Sequence, residues 1–219
     1  MDPINPEKPA APAAGYPLEF DVEYPDRQLN RLSSAFRIFW LIPIGIVLGM
    51  VSHTSFSASS GDSYAGFVSA GGLLIAGPLL MILFRQKYPR WWFDWNRELL
   101  RFTNRVYAYG ALLSDVYPST DEQQYVKLEL RYPDAGAELN RWLPLVKWLL
   151  AIPHFIVLFF LYIGAFFVVV IAWFAILFTG RYPRGLFDYV VGVMRWGNRV
   201  AAYAAVLATD QYPPFRLSS

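Results

Sequence analysis

The stretch Phe155–Phe178, "FIVLFFLYIGAFFVVVIAWFAILF", is the most informative part of the chain because it lies inside a run, from Trp148 to Phe178, that contains no charged residue. A helix on the surface of a soluble protein keeps one polar face. A helix that crosses a bilayer core of about 30 Å needs about 20 apolar residues. The stretch therefore predicts a membrane protein, and a very apolar soluble helical bundle is the less favoured alternative.

The composition of the whole chain agrees with this interpretation. Of the 219 residues, 55% are hydrophobic and 16% are charged, whereas an average soluble domain is about 25% charged. There is no cysteine, which excludes disulfides, thiolate zinc sites and cysteine nucleophiles. Residues 1–15 are rich in proline and alanine and lack the basic and apolar regions of a signal peptide, so we expect a flexible tail.

Two further uncharged stretches precede the long one, Ile38–Gly61 and Tyr64–Phe84. The serine- and glycine-rich segment that joins their apolar parts has the composition of a loop. We therefore predict two membrane spans here, at about 34–52 and 64–84.

The last uncharged run is too long for one upright span and short for two, since its 31 residues would form about 46 Å of helix. We favour two short spans, at about 142–161 and 164–179, with a tight turn near Gly164. One tilted helix preceded by an interfacial helix is the alternative.

The same succession of short phrases occurs twice along the chain and in the same order, which indicates a tandem duplication. Repeat 1 covers residues 16–118 and repeat 2 covers residues 119–219. The paired phrases are "YPD" at Tyr24 and Tyr132, "LNR" at Leu29 and Leu139, "IP" at Ile42 and Ile152, "YPR" at Tyr88 and Tyr182, "NRV" at Asn104 and Asn198, and "DVYP" at Asp115 with "DQYP" at Asp210.

The basic residues suggest an orientation. All 19 lysines and arginines lie outside the segment Ser52–Ser63, and basic residues accumulate on the cytoplasmic side of a membrane. We predict a multi-pass protein of the inner (cytoplasmic) membrane, with both termini and the segment Lys87–Lys147 in the cytoplasm and Ser52–Ser63 outside.

A helix with one apolar stripe follows each predicted pair of spans, at about 91–113 and 185–208, because apolar residues recur there at steps of three and four. Arginines lie beside the stripe, which is typical of a helix in the headgroup plane. The plain alternative is that the stripe packs on the spans and the arginines meet water. The predicted lipid or partner contacts are Arg101, Arg105, Arg195, Arg199, Trp91, Trp92, Trp95 and Trp196.

Two short segments alternate between apolar and charged residues, "LEFDVEYP" from Leu18 and "VKLELRYP" from Val126. They predict two strands, and since an isolated strand is unstable we expect them to pair. The predicted fold is mostly α and integral to the membrane. Each of its two repeats has a short β-strand, a transmembrane helical hairpin and an interfacial amphipathic helix.

Several phrases of the second repeat resemble a family of bacterial membrane proteins known as a domain of unknown function (number 4389), often present in two copies. They are "LLAIPHFIVLFF", "AWFAILFTGRYPRGLFDYVVGVMRW" and "TDQYPPFRL". The resemblance covers about residues 125–217 closely, and repeat 1 diverges more, with Trp91 and Trp92 in place of Gly185 and Leu186. It implies a fold and a membrane location, and no activity.

The usual motifs of catalysis and nucleotide binding are absent from the sequence. His154 is the weak candidate for binding a pigment or a metal ion, although a histidine held by hydrogen bonds is the favoured interpretation. Asp94 and Asp188 open helices, where an acidic residue usually stabilises the helix start. No cofactor is predicted, and bound phospholipid is the one small ligand that the arginines suggest.

The sequence therefore favours a non-enzymatic membrane protein, an accessory or scaffold subunit that packs against other membrane subunits through aromatic spans and interfacial helices. Its expected partners are membrane lipids and membrane proteins, and not nucleic acid. A protein that binds anionic lipids is the first alternative. An unrecognised lipid-modifying enzyme or transporter is the second.

Overall fold

A computed structural model describes residues 15–25, 28–52, 70–120, 122 and 124–218. The predicted tail at 1–14 and most of the polar loop after Ser52 lie outside these residues. The elements are β1 (Leu18–Val22), α1 (Arg31–Ala35), α2 (Arg37–Ser52), α3 (Ala70–Arg85), α4 (Arg90–Gly110), β2 (Val126–Leu130), α5 (Leu143–Leu150), α6 (Ile152–Thr179) and α7 (Arg184–Ala204).

The two predicted strands are confirmed and form a two-stranded antiparallel sheet, in which Leu18 pairs with Leu130 and Val22 with Val126. Every second residue of each strand is buried and the residues between them are exposed. The inner face of the sheet therefore belongs to the hydrophobic core. The outer face is charged.

A second layer consists of α4 and α7, at the places where the sequence predicts helices after the apolar stretches. β1 packs on α7, and β2 packs on α4. The predicted stripe of α7 is buried, with Val193, Trp196 and Val200 at most 5% exposed. Phe102 and Val106 of α4 are buried in the same way, so the apolar stripe of each helix packs inside the protein, which is compatible with a position at the membrane surface.

The third layer is the most apolar one. α2 packs on α4, and α6 packs on α7. The short helix α1 lies against α6, and α5 lies against α3. One continuous apolar region, Leu143–Thr179, is long and apolar enough to cross a membrane, and little of it is buried inside the protein. The segment Arg37–Gly49 of α2 is also apolar, but it is shorter than Leu143–Thr179.

The prediction of two short spans with a tight turn near Gly164 is wrong. α6 is a single helix from Ile152 to Thr179, preceded by the short helix α5, and it passes through Gly164 without a break. Gly164 serves close packing: a Cβ atom there would lie 2.7 Å from the hydroxyl oxygen of Tyr189 on α7. One long helix after a short one matches the alternative derived from the sequence, while its tilt stays a prediction.

Helices α2 and α3 overlap the regions predicted as the first two spans, at Arg37–Ser52 and Ala70–Arg85; residues 64–69 of the second predicted span lie outside the described residues. In the described ranges the two helices do not pack along one another, because α2 lies on α4 and α3 lies against α5. The connection that would turn them into a hairpin falls at 53–69, outside the described residues. The helical hairpin therefore stays a prediction.

Candidate functional site

An asparagine pair joins α4 and α7 near the middle of the molecule. The side-chain amide nitrogen of Asn104 donates to the Asn198 amide oxygen at 2.7 Å, and the reverse hydrogen bond has the same length. Each amide nitrogen also donates to the carbonyl four residues earlier, of Leu100 or Met194. Both donor hydrogens of each amide are used, so the buried pair is stable and fixes the register of the two helices.

A cavity of about 650 Å³ adjoins this pair between α4, α6 and α7. Its wall is mainly apolar, and the polar groups on it include the amides of Asn104 and Asn198 and the hydroxyls of Tyr107 and Tyr162. A cavity of this kind suits an apolar chain or a hydrophobic side chain. No aspartate, glutamate, histidine, lysine or arginine is among its lining residues.

Two buried ion pairs hold the ends of the helical layer. Lys147 on α5 is fully buried, and its Nζ lies 2.7 Å from Asp210 Oδ1 and donates to the Thr209 carbonyl at 2.7 Å. Arg37 at the start of α2 is paired with Asp115 and donates to the Ser114 carbonyl. These acids belong to the repeated phrases "SDVYP" and "TDQYP".

Each of these two acids has a second role, because its carboxylate also accepts a hydrogen bond from the backbone N–H of an asparagine that lies just before a helix. Asp115 accepts from Asn30 at 2.7 Å, and Asp210 accepts from Asn140 at 2.6 Å. Sequence reasoning missed both aspartates as structural centres. The signal was present, since both aspartates lie in the phrases "SDVYP" and "TDQYP", which resemble one another.

Two of the predicted contact arginines are used at the edges of the sheet. Arg101 donates to the Leu128 carbonyl at 2.9 Å and pairs with Glu129 at 3.0 Å. Arg195 donates to the Phe20 carbonyl at 2.8 Å and pairs with Asp21 at 3.0 Å. Each arginine side chain is 15% exposed. They therefore bind helix to strand within the protein.

The other two arginines, Arg105 and Arg199, are each 2% exposed. Arg105 donates to the Ser119 carbonyl at 2.7 Å, and Arg199 donates to the Arg216 and Ser218 carbonyls. Burial lowers the pKa of Arg199 below its ordinary value, and the positive charges of Arg216 and Arg195 lower it further. Their guanidinium groups fasten the segments that follow α4 and α7, and neither is open to a lipid headgroup.

The four predicted tryptophans divide into two kinds. Trp91 and Trp95 are 69% and 53% exposed, and they lie one turn apart at the start of α4. Trp92 is half-buried against Trp91 and α3, close to Gly77. Trp196 is buried in the core. Of these four tryptophans, Trp91 and Trp95 are therefore the exposed ones that can contact lipid or a partner.

His154 is enclosed in an aromatic cluster and is not exposed. Its Nδ1 accepts a hydrogen bond from Trp196 Nε1 at 3.1 Å, its ring stacks on Phe215 with a centroid distance of 4.1 Å, and Tyr212 lies beside it. Nε2 has no hydrogen-bond partner among the described residues. Nor do the described residues include any group of three or more side chains suited to a metal ion.

Comparison with known proteins gives one family. The family described as "Domain of unknown function (DUF4389)" matches residues 141–216, which include α5, α6 and α7. No curated protein and no solved structure matches the chain. The family named from sequence phrases is thus found in the second half of the chain, and its description assigns no activity.

Proposed function

We propose that this protein is a non-enzymatic membrane protein, an accessory or scaffold subunit whose apolar helices hold it in the membrane while exposed tryptophans contact a partner. The observation that carries the proposal is the outward-facing surface of the helical layer. On α6 alone, Phe159, Phe160, Phe166 and Phe167 are each at least 60% exposed. Exposed apolar area of this extent on a protein indicates contact with lipid or with another protein.

The two matched sets of contacts support a tandem duplication as part of this proposal. Arg101 and Arg195 bind strand carbonyls in the same way, and the ion pairs at Asp115 and Asp210 occupy corresponding places in the repeated phrases. The asparagine pair lies where the two halves meet. A chain built from two such units presents one continuous apolar surface.

We also propose in which membrane the protein lies and which side its termini face. The chain belongs in the bacterial inner membrane, with its basic segments and both termini on the cytoplasmic side, because basic residues favour that side. The four-span topology predicted from the sequence is not part of the proposal, because α6 is a single helix.

We place the partner at the surface that Trp91 and Trp95 form. Tryptophan is enriched among the residues that dominate protein interfaces, and the corresponding positions of α7, Gly185 and Tyr189, carry no such exposed indole pair. We therefore place the contact on α4 and not on α7. A partner segment that lies against the start of α4 would cover it.

The two alternatives have less support from the geometry. Anionic-lipid binding through the four arginines is weakened because all four are engaged with carbonyl groups inside the protein. For an enzyme or transporter, the cavity beside Asn104 offers neutral amides and hydroxyls and no charged side chain.

A pair of matched variants tests the scaffold function in the full chain. Replacing Trp91 and Trp95 together by leucine keeps the surface apolar, so the membrane fraction should be unchanged. If the indoles contact a partner, the yield of one stoichiometric cross-linked protein should fall at least fivefold. The matched control replaces Phe159 and Phe160 by leucine, on the face that we assign to lipid, and should leave that yield unchanged.

The results of this experiment distinguish the scaffold function from the lipid-binding alternative. Equal yields for the two variants, or the absence of any stoichiometric partner from the native membrane, would remove the scaffold function. Retention of phospholipid as the sole companion of the purified protein would support the lipid alternative. Recovery of the natural protein in the soluble fraction would contradict the membrane location itself.

A further inference from the structure

The sheet, α7 and α6 lie beside one another and run along a common direction. At one end of α7, the Tyr16 hydroxyl donates to the Arg199 carbonyl at 3.1 Å. At the other end, the Tyr24 hydroxyl donates to the Tyr182 carbonyl. Strand β1, between these tyrosines, thus follows α7 along most of its length.

α6 follows α7 in the same manner on the opposite side. Trp196 Nε1 donates to His154 near the start of α6 at 3.1 Å, and the Tyr189 hydroxyl donates to the Leu161 carbonyl at 3.2 Å. The three layers are therefore stacked side by side. Any depth that α6 reaches in a bilayer is reached by the sheet as well.

An upright α6 would therefore place the sheet in the hydrocarbon. α6 is about 42 Å long, and the bilayer core is about 30 Å thick. The outer face of the sheet carries six exposed charged residues: Glu19, Asp21, Glu23, Lys127, Glu129 and Arg131. Charged side chains and open sheet edges facing lipid are not tolerated at that depth.

The basic ends of the apolar helices give a second, independent argument. The Tyr132 hydroxyl donates to the Tyr88 carbonyl just after α3, and the Tyr24 hydroxyl donates to the Tyr182 carbonyl just after α6. Tyr24 and Tyr132 lie at opposite ends of the sheet because β1 and β2 are antiparallel and the residues follow their strands in the chain. The segments after α3 and after α6 therefore lie at opposite ends of the molecule.

This separation matters because both segments are basic. Lys87 and Arg90 are exposed at one end, and Arg181 and Arg184 are exposed at the other. With α6 upright, they would lie on opposite sides of the membrane, against the preference of basic residues for the cytoplasmic side. With α6 parallel to the membrane, both groups reach the headgroups of one leaflet, where anionic lipids attract them.

We propose that the protein lies in a single leaflet, with α6 parallel to the membrane plane, the exposed apolar side chains of α2 and α5 in the same leaflet, and the charged face of the sheet in water. The occupant of the apolar surface is the hydrocarbon of that leaflet, and its anionic headgroups contact the basic residues at both ends. The inference rests on the membrane location in the proposed function and replaces the four-span topology.

Sidedness of labelling gives the first test. The chain contains no cysteine, so the single variants Lys87→Cys and Arg181→Cys are each labelled with a membrane-impermeant maleimide, in right-side-out and in inverted vesicles. We expect both to be labelled in inverted vesicles alone. Labelling of the two positions from opposite sides would overturn the proposal. Glu19→Cys, on the sheet, is the matched control and should behave like them.

Depth gives the second test, with the purified chain in vesicles of phosphatidylglycerol and phosphatidylcholine. Ile152, Phe159 and Phe166 are exposed and lie on one face of α6, and the first and last are about 21 Å apart along the axis. Each is replaced by cysteine, labelled with a fluorophore and quenched by lipids carrying doxyl groups at two depths. We expect the same quenching ratio at all three positions.

The remaining outcomes each decide the question. A ratio that changes steadily from position 152 to position 166 would show an upright helix and overturn the proposal. Vesicle-bound protein with all three labels shielded from both quenchers would show that a second copy covers the surface, which also overturns it. Failure of the protein to bind vesicles, together with its absence from cell membranes, would contradict the proposed function itself.

Discussion

At the scale of single residues, the buried ion pairs are the most sensitive points of the protein. Lys147 is fully enclosed on an apolar helix, and Asp210 is its charged partner. Lys147→Met should lower the free energy of unfolding by about 3–5 kcal/mol, because it leaves a carboxylate without its cation in a water-poor site. Chemical unfolding in detergent micelles, followed by circular dichroism, measures the change.

A double variant isolates the reason for this loss. Adding Asp210→Asn to Lys147→Met removes the unpaired charge and keeps an oxygen to accept the Asn140 N–H, so it should restore part of the stability. Arg131→Gln is the matched control, because it breaks an exposed pair with Glu138 and should cost at most about 1 kcal/mol. Equal losses for Lys147→Met and Arg131→Gln would contradict the assignment.

The sequence identifies the right residues more readily than their contacts. The recurrence of Arg101 and Arg195 marks both as important, but the carbonyls that they bind belong to distant strands, at Leu128 and Phe20. A helical pattern records which face of the helix a side chain occupies. It does not record which other segment of the chain will cover that face, so an exposed and a buried arginine look alike.

At the scale of elements, glycine positions control how closely helices approach. Gly164→Ala should destabilise the protein by about 1–3 kcal/mol, because the added Cβ would lie 2.7 Å from the Tyr189 hydroxyl and overpacking strains such a contact. The usual effect of this change in a helix is stabilising. Thermal unfolding followed by circular dichroism gives the sign.

Two further variants show whether the loss comes from the contact with Tyr189. Gly45→Ala in α2 meets no atom within 4 Å and should be neutral or stabilising. Tyr189→Phe combined with Gly164→Ala removes the hydroxyl that clashes and should recover most of the loss. A stabilised Gly164→Ala variant would show that α6 and α7 are further apart than described.

Helices and strands follow from the sequence wherever polar and apolar residues alternate regularly. The period of two in "LEFDV" and the steps of three and four around Phe102 locate β1 and α4 within a few residues. The prediction of a turn at Gly164 is wrong because a uniformly apolar run contains no polar residue that marks a boundary. A glycine in such a run is equally consistent with a turn and with close helix packing.

At the scale of the whole molecule, buried tyrosines link stability to alkaline pH. Burial raises the pKa values of Tyr16, Tyr88, Tyr125 and Tyr182 above the ordinary 10.0. Their contribution to stability is complete below pH 10, where both states hold the proton, and it falls as the pH rises towards the folded-state values. Ionisation of each tyrosine should lower the free energy of unfolding by about 1.4 kcal/mol per pH unit in that interval.

Ultraviolet absorbance of the phenolate measures this effect directly. We expect a group of tyrosines that ionise together with unfolding. Tyr88→Phe, which loses a hydrogen bond to the Val206 carbonyl, should lower stability at neutral pH by about 1 kcal/mol and make its pH dependence above 10 shallower. An unchanged slope in the variant would show that Tyr88 ionises freely in the folded protein.

The repeated phrases predict that two similar sets of elements exist, and they leave the arrangement of the sets undetermined. β1 precedes α4 in the chain but packs on α7, while β2 packs on α4. Both pairings satisfy the same local pattern, because Leu18 and Leu128 present the same apolar face. Only the register of the sheet and the contacts of Tyr24 and Tyr132 distinguish the two.

This exchange of strands means that the protein resembles a heterodimer whose subunits share one covalent link. If the chain is divided within 119–124, between the last residues that follow α4 and the start of β2, neither fragment can cover the inner face of its own strand. Each fragment should aggregate or be degraded when produced alone. Co-expression of residues 1–118 with residues 125–219 should instead yield a copurifying pair, and recovery of either fragment as a folded monomer would contradict the exchange.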